Sequence, residues 1–433
     1  MEALAFESRE QLFDLILLAA RRLMGQPETS TLLSAIPFSF PAAEEMYASL
    51  GPHLVEYIRT LGRQHYATDS PRSAANADRI YLDGCFDIMH SGHYNAIRQA
   101  KMLGKVLVAG IHSDEEITRN KGPPVMCMKE RLAMVRACKW VDEIVENAPY
   151  SPDSAWLDRC NCLYLAHGDD IAINSEGVDA YGALKNEGRF KVIKRTEGIS
   201  TTSIVGKLLL MTREQHETRN APTPASSVGE ENERHFLTTS RRISEFSNKR
   251  QPESGARIVY IDGSFDLFHI GHVATLRKAR ELGDFLIVGI HDDQTVNLHK
   301  GANYPIMNLH ERVLNVLACK YADEVVIGAP WKVTEDLIKS MNVAVVVQGT
   351  IPKYDESLRV LRKGSLDILG EDPYEVAKER GIYVEVESEI PIETKDIIQR
   401  IIDNRLNVLK KYTKTSAKED RYYSDTKVFV LEA

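Results

Sequence analysis

The chain has 433 residues, 43% of them hydrophobic, with a formal net charge of −8 and six cysteines. That length allows two or three domains with ordinary cores, and the acidic balance removes any global electrostatic support for a nucleic-acid surface. Cys160-x-Cys162 has the wrong spacing for a zinc site, and neither a secretory signal pattern nor an apolar run of membrane-spanning length occurs, so the expected setting is the cytosol with reduced thiols.

Residues 1–78 stand apart from the rest of the chain. Ser8-x-x-Gln11 reads as a capping box, with Leu12, Leu15, Ile16, Ala19 and Leu23 at helical spacing and Gly25 and Pro27 as stops. This amphipathic helix is expected to dock on the body or on a partner. Membrane-surface contact has only Arg21 and Arg22 in its favour. Met46 to Leu61 reads as a second helix and Ala67 to Ala77 as a linker.

From residue 79 the patterning becomes strand–helix–strand. The run Arg79–Leu82 reads as a strand, Tyr94–Leu103 as a helix and Val106–Ile111 as a strand. Between the first two lies Asp83-Gly84-Cys85-Phe86-Asp87-Ile88-Met89-His90-Ser91-Gly92-His93. Such a loop sets two imidazoles at the amino end of a helix, where free backbone N–H groups and the helix dipole favour phosphate oxygens. Gly92 lets backbone and ligand approach closely. The segment Thr118 to Pro124 reads as a loop carrying Lys121, a candidate phosphate ligand set against the usual solvated fate of a lysine. Glu130–Lys139 reads as a helix, with a strand starting at Glu143.

Leu163–Ala166 is a short strand pattern delivering His167-Gly168-Asp169-Asp170 at its carboxyl end, the side on which open parallel sheets bind ligands. Lys191-Val192-Ile193 is another strand, followed by Lys194-Arg195-Thr196-Glu197-Gly198-Ile199-Ser200-Thr201-Thr202 and a helix through Leu210. Arg195, Ser200, Thr201 and Thr202 make a second phosphate cradle of guanidinium, hydroxyls and backbone N–H groups. Simple helix capping by Ser200 or Thr201 is compatible with that role. Residues 212–256 read as a linker in which Phe236–Phe246 packs on the body.

The central element then recurs. Asp262-Gly263-Ser264-Phe265-Asp266-Leu267-Phe268-His269-Ile270-Gly271-His272 lies 179 positions downstream, and Lys300-Gly301 repeats Lys121-Gly122 at the same offset. Glu311-Arg312, Ala318-Cys319-Lys320 and Ala329-Pro330 repeat Glu130-Arg131, Ala137-Cys138-Lys139 and Ala148-Pro149 at offset 181. The chain is a tandem repeat: residues 79–211, then a second unit over 257–410 ending in a helix from Asp396 to Leu409, then a charged tail over 411–433.

These motifs together resemble the cytidylyltransferase family: Gly-x-Phe-Asp-x-x-His-x-Gly-His, the Lys121-Gly122 segment, and Arg195-Thr-Glu-Gly-Ile-Ser-Thr-Thr202. The tandem arrangement, with Phe236-Leu-Thr-Thr-Ser-Arg-Arg242 between the halves, is similar to the members that act on phosphoethanolamine. The resemblance spans residues 79 to about 408. It implies an α/β fold of two tandem Rossmann-like nucleotidyltransferase domains with parallel sheets, preceded here by a short helical N-terminal extension. It also implies a reaction in which CTP and phosphoethanolamine give CDP-ethanolamine and pyrophosphate, in phosphatidylethanolamine synthesis.

On that resemblance, His90, His93, Lys121 and Arg195 are the expected catalytic residues. Gly84, Cys85, Phe86, His167, Gly168, Asp169, Ser200, Thr201 and Thr202 are expected at the nucleotide. Asp83 and Tyr150 are expected at the headgroup. Mg²⁺ is expected with CTP, keeping several waters and needing no protein cage. The nucleophilic phosphate is largely ionised at neutral pH, its second pKa being about 6, so no general base is required. An intramolecular pseudo-dimer is expected, open to further homo-oligomerisation, with peripheral membrane contact at the endoplasmic reticulum as an addition to the cytoplasmic setting.

The halves are expected to differ. The second keeps Ser264, Phe265, His269, His272 and Lys300, but aligning the final helices sets Glu387 opposite Arg195, Ile390 opposite Gly198 and Ile392 opposite Ser200, with Thr394 opposite Thr202 and Gln348 opposite His167. It should therefore bind nucleotide weakly or not at all unless Lys353 or Lys395 compensates. For the headgroup, a choline would favour an aromatic cage. Ile173 and Tyr150 stand where choline-specific relatives carry an aromatic and a tryptophan, so phosphoethanolamine is favoured over phosphocholine. Class I aminoacyl-tRNA synthetases share the His-x-Gly-His signature but need a Lys-Met-Ser-Lys-Ser-type loop that is absent, and a non-catalytic nucleotide-binding scaffold is disfavoured by the intact first half.

Overall fold

The computed structural model describes residues 76–169, 172–196, 201, 204–206, 208, 240–301, 304–350 and 372–404. Both helices expected before residue 76, together with Asp170, Ser200, Thr202, Lys353 and the terminal tail, lie outside these residues.

The first repeat builds β1 (Asn76–Gly84), α1 (Ser91–Met102), β2 (Val106–Ile111), α2 (Asp114–Lys121), α3 (Met128–Arg136), β3 (Glu143–Glu146), α4 (Ser154–Arg159), β4 (Cys162–Gly168), α5 (Gly182–Asn186) and β5 (Phe190–Ile193). The second builds β6 (Ile258–Gly263), α6 (Ile270–Arg280), β7 (Phe285–Ile290), α7 (Asp293–Lys300), α8 (Leu309–Leu317), β8 (Glu324–Ile327), α9 (Glu335–Ser340), β9 (Val343–Thr350), α10 (Glu375–Glu379), β10 (Tyr383–Glu387) and α11 (Thr394–Asp403). The chain is thus the two tandem α/β units that the repeat implied. β1 starts three residues before the expected Arg79, taking in two residues of the presumed linker.

Each unit is a five-stranded parallel sheet, ordered β3-β2-β1-β4-β5 in the first and β10-β9-β6-β7-β8 in the second. In chain order both read 3-2-1-4-5, so the order reverses beside the first strand, where a crevice opens at the carboxyl ends. The buried stretches Ile80–Leu82 in β1 and Ile258–Ile261 in β6 are apolar because helices cover both sheet faces. Ile80 and Leu82 of β1 enter one core while Tyr81 between them enters another, the period-two alternation of a strand. In β6, Val259 and Ile261 share the first core and Ile258 and Tyr260 a third.

That shared core joins the two units. α1 packs on α8 and α3 on α6. At the centre Cys138 and Cys319 oppose each other in an antiparallel bridge. Lys139 N–H donates to the Ala318 carbonyl at 3.0 Å and Lys320 N–H to Ala137 at 2.9 Å. Each half offers the same surface to the other, the self-complementarity of an isologous dimer within one chain. The helix over residues 240–246 presses the fully buried Phe246 edge-on against Trp140, ring centroids 5.0 Å apart. Part of the stretch expected to pack on the body therefore does so. Among the described residues no helix is long and apolar enough to cross a membrane.

Candidate active site

The loop from β1 to α1 carries strain that its neighbours hold in place. Phe86 and the β-branched Ile88 adopt left-handed backbone conformations (φ 54° and 44°), and Phe265 and Leu267 repeat them at 48° and 44°. Such conformations persist only where contacts over-determine them, and they concentrate at functional sites. Here the Asp87 carboxylate, flanked by the two strained residues, accepts from the N–H groups of Val125 (2.9 Å) and Met126 (2.8 Å). Arg131, fully buried, donates to the carbonyls of Cys85 (2.6 Å) and His112 (2.8 Å) and to Asp114 (2.7 Å). Gly84 allows the Phe86 ring to fold back, for a Cβ there would lie 3.1 Å from the ring.

Replacing Arg131 with methionine removes three hydrogen bonds, one buried and two part-buried, and strands two carbonyls. We expect a loss of roughly 3 kcal/mol in unfolding free energy, visible as a lowered urea midpoint. An unchanged midpoint would show that the loop holds without it.

His90 caps α1: its Nδ1 accepts from Gly92 N–H at 3.1 Å. Nδ1 is then the acceptor nitrogen, which assigns the proton of the neutral ring to Nε2. Nε2 lies 3.3 Å from the Thr201 hydroxyl, which in turn donates to the Asp87 carbonyl at 3.4 Å. His93 packs beside it, ring centroids 4.1 Å apart, with a buried Nδ1 that has no partner. Burial, then the charge of its neighbours His93 and Arg195, pushes His90 well below the usual imidazole range. Burial, then Lys121 and Arg195, lowers His93 to about 4. Both rings are neutral donors at neutral pH.

Lys121 sits at the end of a helix rather than in the expected loop. Ser113 caps α2 by accepting from Glu116 N–H at 3.1 Å, and three acidic residues fill the first turn. Gly122, at φ 92°, ends the helix. The ammonium lies 5.5 Å from the centroid of the Tyr150 ring, and its charge reaches both Asp83 and His93. Arg195 follows β5, its neighbours tied to α1: Asn95 donates to Thr196 at 2.9 Å, and Gln99 to the Lys194 carbonyl at 2.9 Å.

At the other end of the crevice Tyr181 donates to Asp83 at 2.8 Å, leaving Oδ2 of that buried carboxylate without a partner. Burial raises Asp83 to about 7 against the opposing pull of Tyr181 and Lys121. His167 and Gly168 form the last two residues of β4 rather than following it, and the His167 ring stacks obliquely on Tyr181 at 4.6 Å. Tyr150 is buried, its hydroxyl 3.5 Å from the Ile173 carbonyl. Cys85 is half-buried and Asp169 exposed. The fold thus gathers Asp83, Gly84, Phe86, His90, His93, Lys121, Tyr150, His167, Arg195 and Thr201 around one crevice. Sequence reasoning named Asp87 and Arg131 only as parts of the repeat, with no role, and did not name Tyr181 or His112. The repeat of Asp87 as Asp266 and of Arg131 as Arg312 was the signal that could have marked two of them.

The second repeat departs from this arrangement. Thr394 donates to the Asp266 carbonyl at 3.0 Å, as Thr201 does to Asp87, so Thr394 answers to Thr201 rather than to Thr202. The strand registers agree, since Ile193 pairs with Gly168 and Val386 with Gly349. Matching the final helices by sequence is therefore off by one residue: Ser388 stands opposite Arg195 and Glu393 opposite Ser200. The corrected register sets a serine rather than a glutamate opposite Arg195 and a glutamate opposite Ser200. Glu393 is the N-cap of α11, its N–H donating to Asp396 at 2.7 Å, so carboxylates occupy the helix terminus where an anion would bind. Lys395 is paired with Glu393 at 3.1 Å.

Elsewhere in that half, Lys300 donates to Ser264 at 2.7 Å and a Cβ on Gly271 would lie 2.8 Å from the Ile392 carbonyl. His269 keeps the same cap, Nδ1 accepting from Gly271 N–H at 3.2 Å, and stacks on His272 at 3.8 Å. The ring of Phe265 lies 5.4 Å from that of His272. Trp331, in the place of Tyr150, is stacked face to face on His299 at 3.6 Å.

A model of the cytidylyltransferase-like family matches residues 81–207 and 260–400. An ethanolamine-phosphate cytidylyltransferase of Dictyostelium discoideum is 49% identical over 352 residues, covering 79% of this chain and 95% of the relative. One from Arabidopsis thaliana is 48% identical over 374 residues, covering 81% and 86%. By contrast, choline-phosphate cytidylyltransferase 2 of Arabidopsis thaliana is 40% identical over 135 residues, 30% of this chain.

Proposed function

The chain belongs to the cytidylyltransferase-like family, and from that premise we propose that it joins CTP and phosphoethanolamine into CDP-ethanolamine and pyrophosphate. One observation carries this reading: neutral His90 and His93 at a helix amino end lie within reach of the Lys121 and Arg195 charges, while an unpartnered buried carboxylate oxygen, that of Asp83, waits at the far end of the same crevice.

A phosphate oxygen of phosphoethanolamine attacks the α-phosphorus of CTP. The bond from that phosphorus to the bridging oxygen breaks, and pyrophosphate leaves with the electron pair. No base is needed, since the attacking phosphate is already ionised. The protein's share is in-line positioning and charge neutralisation. Lys121 would bridge the phosphates of both substrates. His90 Nε2–H, His93 and Arg195 would stabilise the departing pyrophosphate, with Thr201 and the flanking Ser200 and Thr202 at the triphosphate. His167, Gly168 and Asp169 would lie along the nucleotide with Gly84, Cys85 and Phe86.

Asp83 would take the ammonium beside Tyr150. A primary ammonium needs acceptors more than a full aromatic cage, and the aliphatic Ile173 beside Tyr150 supports ethanolamine over choline. The donors at the phosphate end, imidazoles and cations, suit phosphate oxygens rather than a hard metal, so Mg²⁺ would arrive on the CTP phosphates with its waters. The charged substrates support a cytoplasmic setting.

The test is pyrophosphate release by the full-length chain with CTP and Mg²⁺, offering phosphoethanolamine and phosphocholine in parallel. We expect a preference for phosphoethanolamine of at least about tenfold in kcat/KM, the value of one charge-assisted hydrogen bond that a quaternary ammonium has no N–H to make. A preference for phosphocholine would overturn the headgroup assignment, and silence with both would overturn the enzymatic reading.

A further inference from the structure

We propose that Arg400, in the second unit, is a positioning residue for the reaction centre of the first; this rests on the role of Lys121 in the proposed reaction. The guanidinium of Arg400, on α11, grips the Glu130 carboxylate of α3 with two parallel hydrogen bonds, 2.8 and 2.9 Å. The same guanidinium touches the Met126 sulfur at 3.9 Å. The first contact falls on the opening turn of α3 and the second on the segment that links Lys121 to it.

What that segment does makes the contact more than a surface ion pair. Glu130, only 9% exposed, also accepts from Cys127 N–H at 2.9 Å and so closes the first turn of α3. Just upstream, the Val125 and Met126 amides bind the Asp87 carboxylate, between the strained residues that lead into His90. Arg131, adjacent to Glu130, holds the Cys85 carbonyl on the other side of the same loop. One side chain from the second unit therefore clamps the point at which the Lys121 segment and the histidine loop are tied together. A planar bidentate fork fixes distance and angle at once, which a single point charge does not. This gives the second unit a task that needs no nucleotide of its own.

The experiment compares full-length Arg400→Met, Arg400→Lys and, as a control, Lys339→Met, which breaks an exposed second-unit pair with Glu335. Hydrogen exchange over residues 121–127 is read first, because it requires no substrate. We expect Arg400→Met to speed exchange there and to lower kcat about tenfold with an unchanged melting temperature, as for a coupling contact of ordinary strength. Arg400→Lys should recover part of both, and Lys339→Met should match wild type. In a Lys121→Met background Arg400→Met should add less than about twofold, since both changes act through one group. Wild-type exchange in Arg400→Met, or fully additive effects with Lys121→Met, would overturn the proposal. If the unmodified chain shows no turnover, the proposed activity fails, while the exchange data alone still decide whether Arg400 holds the segment.

Discussion

His93→Ala is expected to lower kcat about a thousandfold, the upper end of what removing one preorganised donor to a developing negative charge costs. The ring lies at the amino end of α1 with a buried, unpartnered Nδ1, so truncating it leaves no partner of that nitrogen unsatisfied. Far-UV circular dichroism and the melting temperature should therefore stay close to wild type. The matching change in the second unit, His272→Ala, should leave kcat/KM within about twofold, because Glu393 and Asp396 occupy the anion-binding end of α11 there. Steady-state pyrophosphate release measures both. Near-normal turnover in His93→Ala, with a large loss in His272→Ala, would move the chemistry to the second unit.

Asp83→Asn should cut kcat/KM for phosphoethanolamine about a hundredfold while leaving KM for CTP nearly unchanged. Truncating one partner of a buried charge pair costs about 2–5 kcal/mol, and the ammonium would lose its carboxylate while the Tyr181 hydroxyl keeps an acceptor. The pH dependence supplies a second signature. Burial raises Asp83 to about 7 in the empty protein, so it carries a proton below that pH and binding of a cation must expel it. In wild type, kcat/KM for phosphoethanolamine should rise as pH increases from about 6 to about 8, across that ionisation. In Asp83→Asn the part of that rise due to the carboxyl should vanish, leaving only the ionisation of the substrate phosphate near pH 6. The stability linkage has the opposite sign: a raised carboxyl pKa in the folded state stabilises fully below about 4, and that contribution is lost as pH rises through about 7. The variant should thus be at least as stable as wild type at about pH 8, above the folded-state ionisation. An unchanged pH profile would sink the headgroup role of Asp83.

Burial also bears on which residues could be found from the sequence. His90, His93 and Arg195 stood out because a polar group at a strand end or helix start carries a pattern, and Lys121 stood out because Lys-Gly recurs as Lys300-Gly301. Tyr181 and Arg131 did not stand out, since each acts through a partner far away in the chain: Tyr181 on Asp83 and Arg131 on Cys85 and His112. The one-residue error in matching the final helices has the same origin. Residues between β5 and the last helix have no periodicity to align, and the strand pairings together with the hydroxyl contacts of Thr201 and Thr394 set the register.

By itself the sequence determined the class of the fold, the duplication and the phosphate chemistry. These rest on local rules: apolar runs form strands, helical spacing forms helices, and a repeated motif at constant offset implies a repeated unit. Tertiary structure alone decided what the helix terminus of the second copy presents to a ligand. Whether the end of a helix is open to a phosphate or closed by its own carboxylate, as at Glu393, depends on which side chain the fold swings there. Likewise the grip of Arg400 on Glu130 joins residues 270 positions apart, a separation over which no local preference operates. Long-range contacts of this kind are set by the packing of whole elements, so they become readable only once the chain has folded.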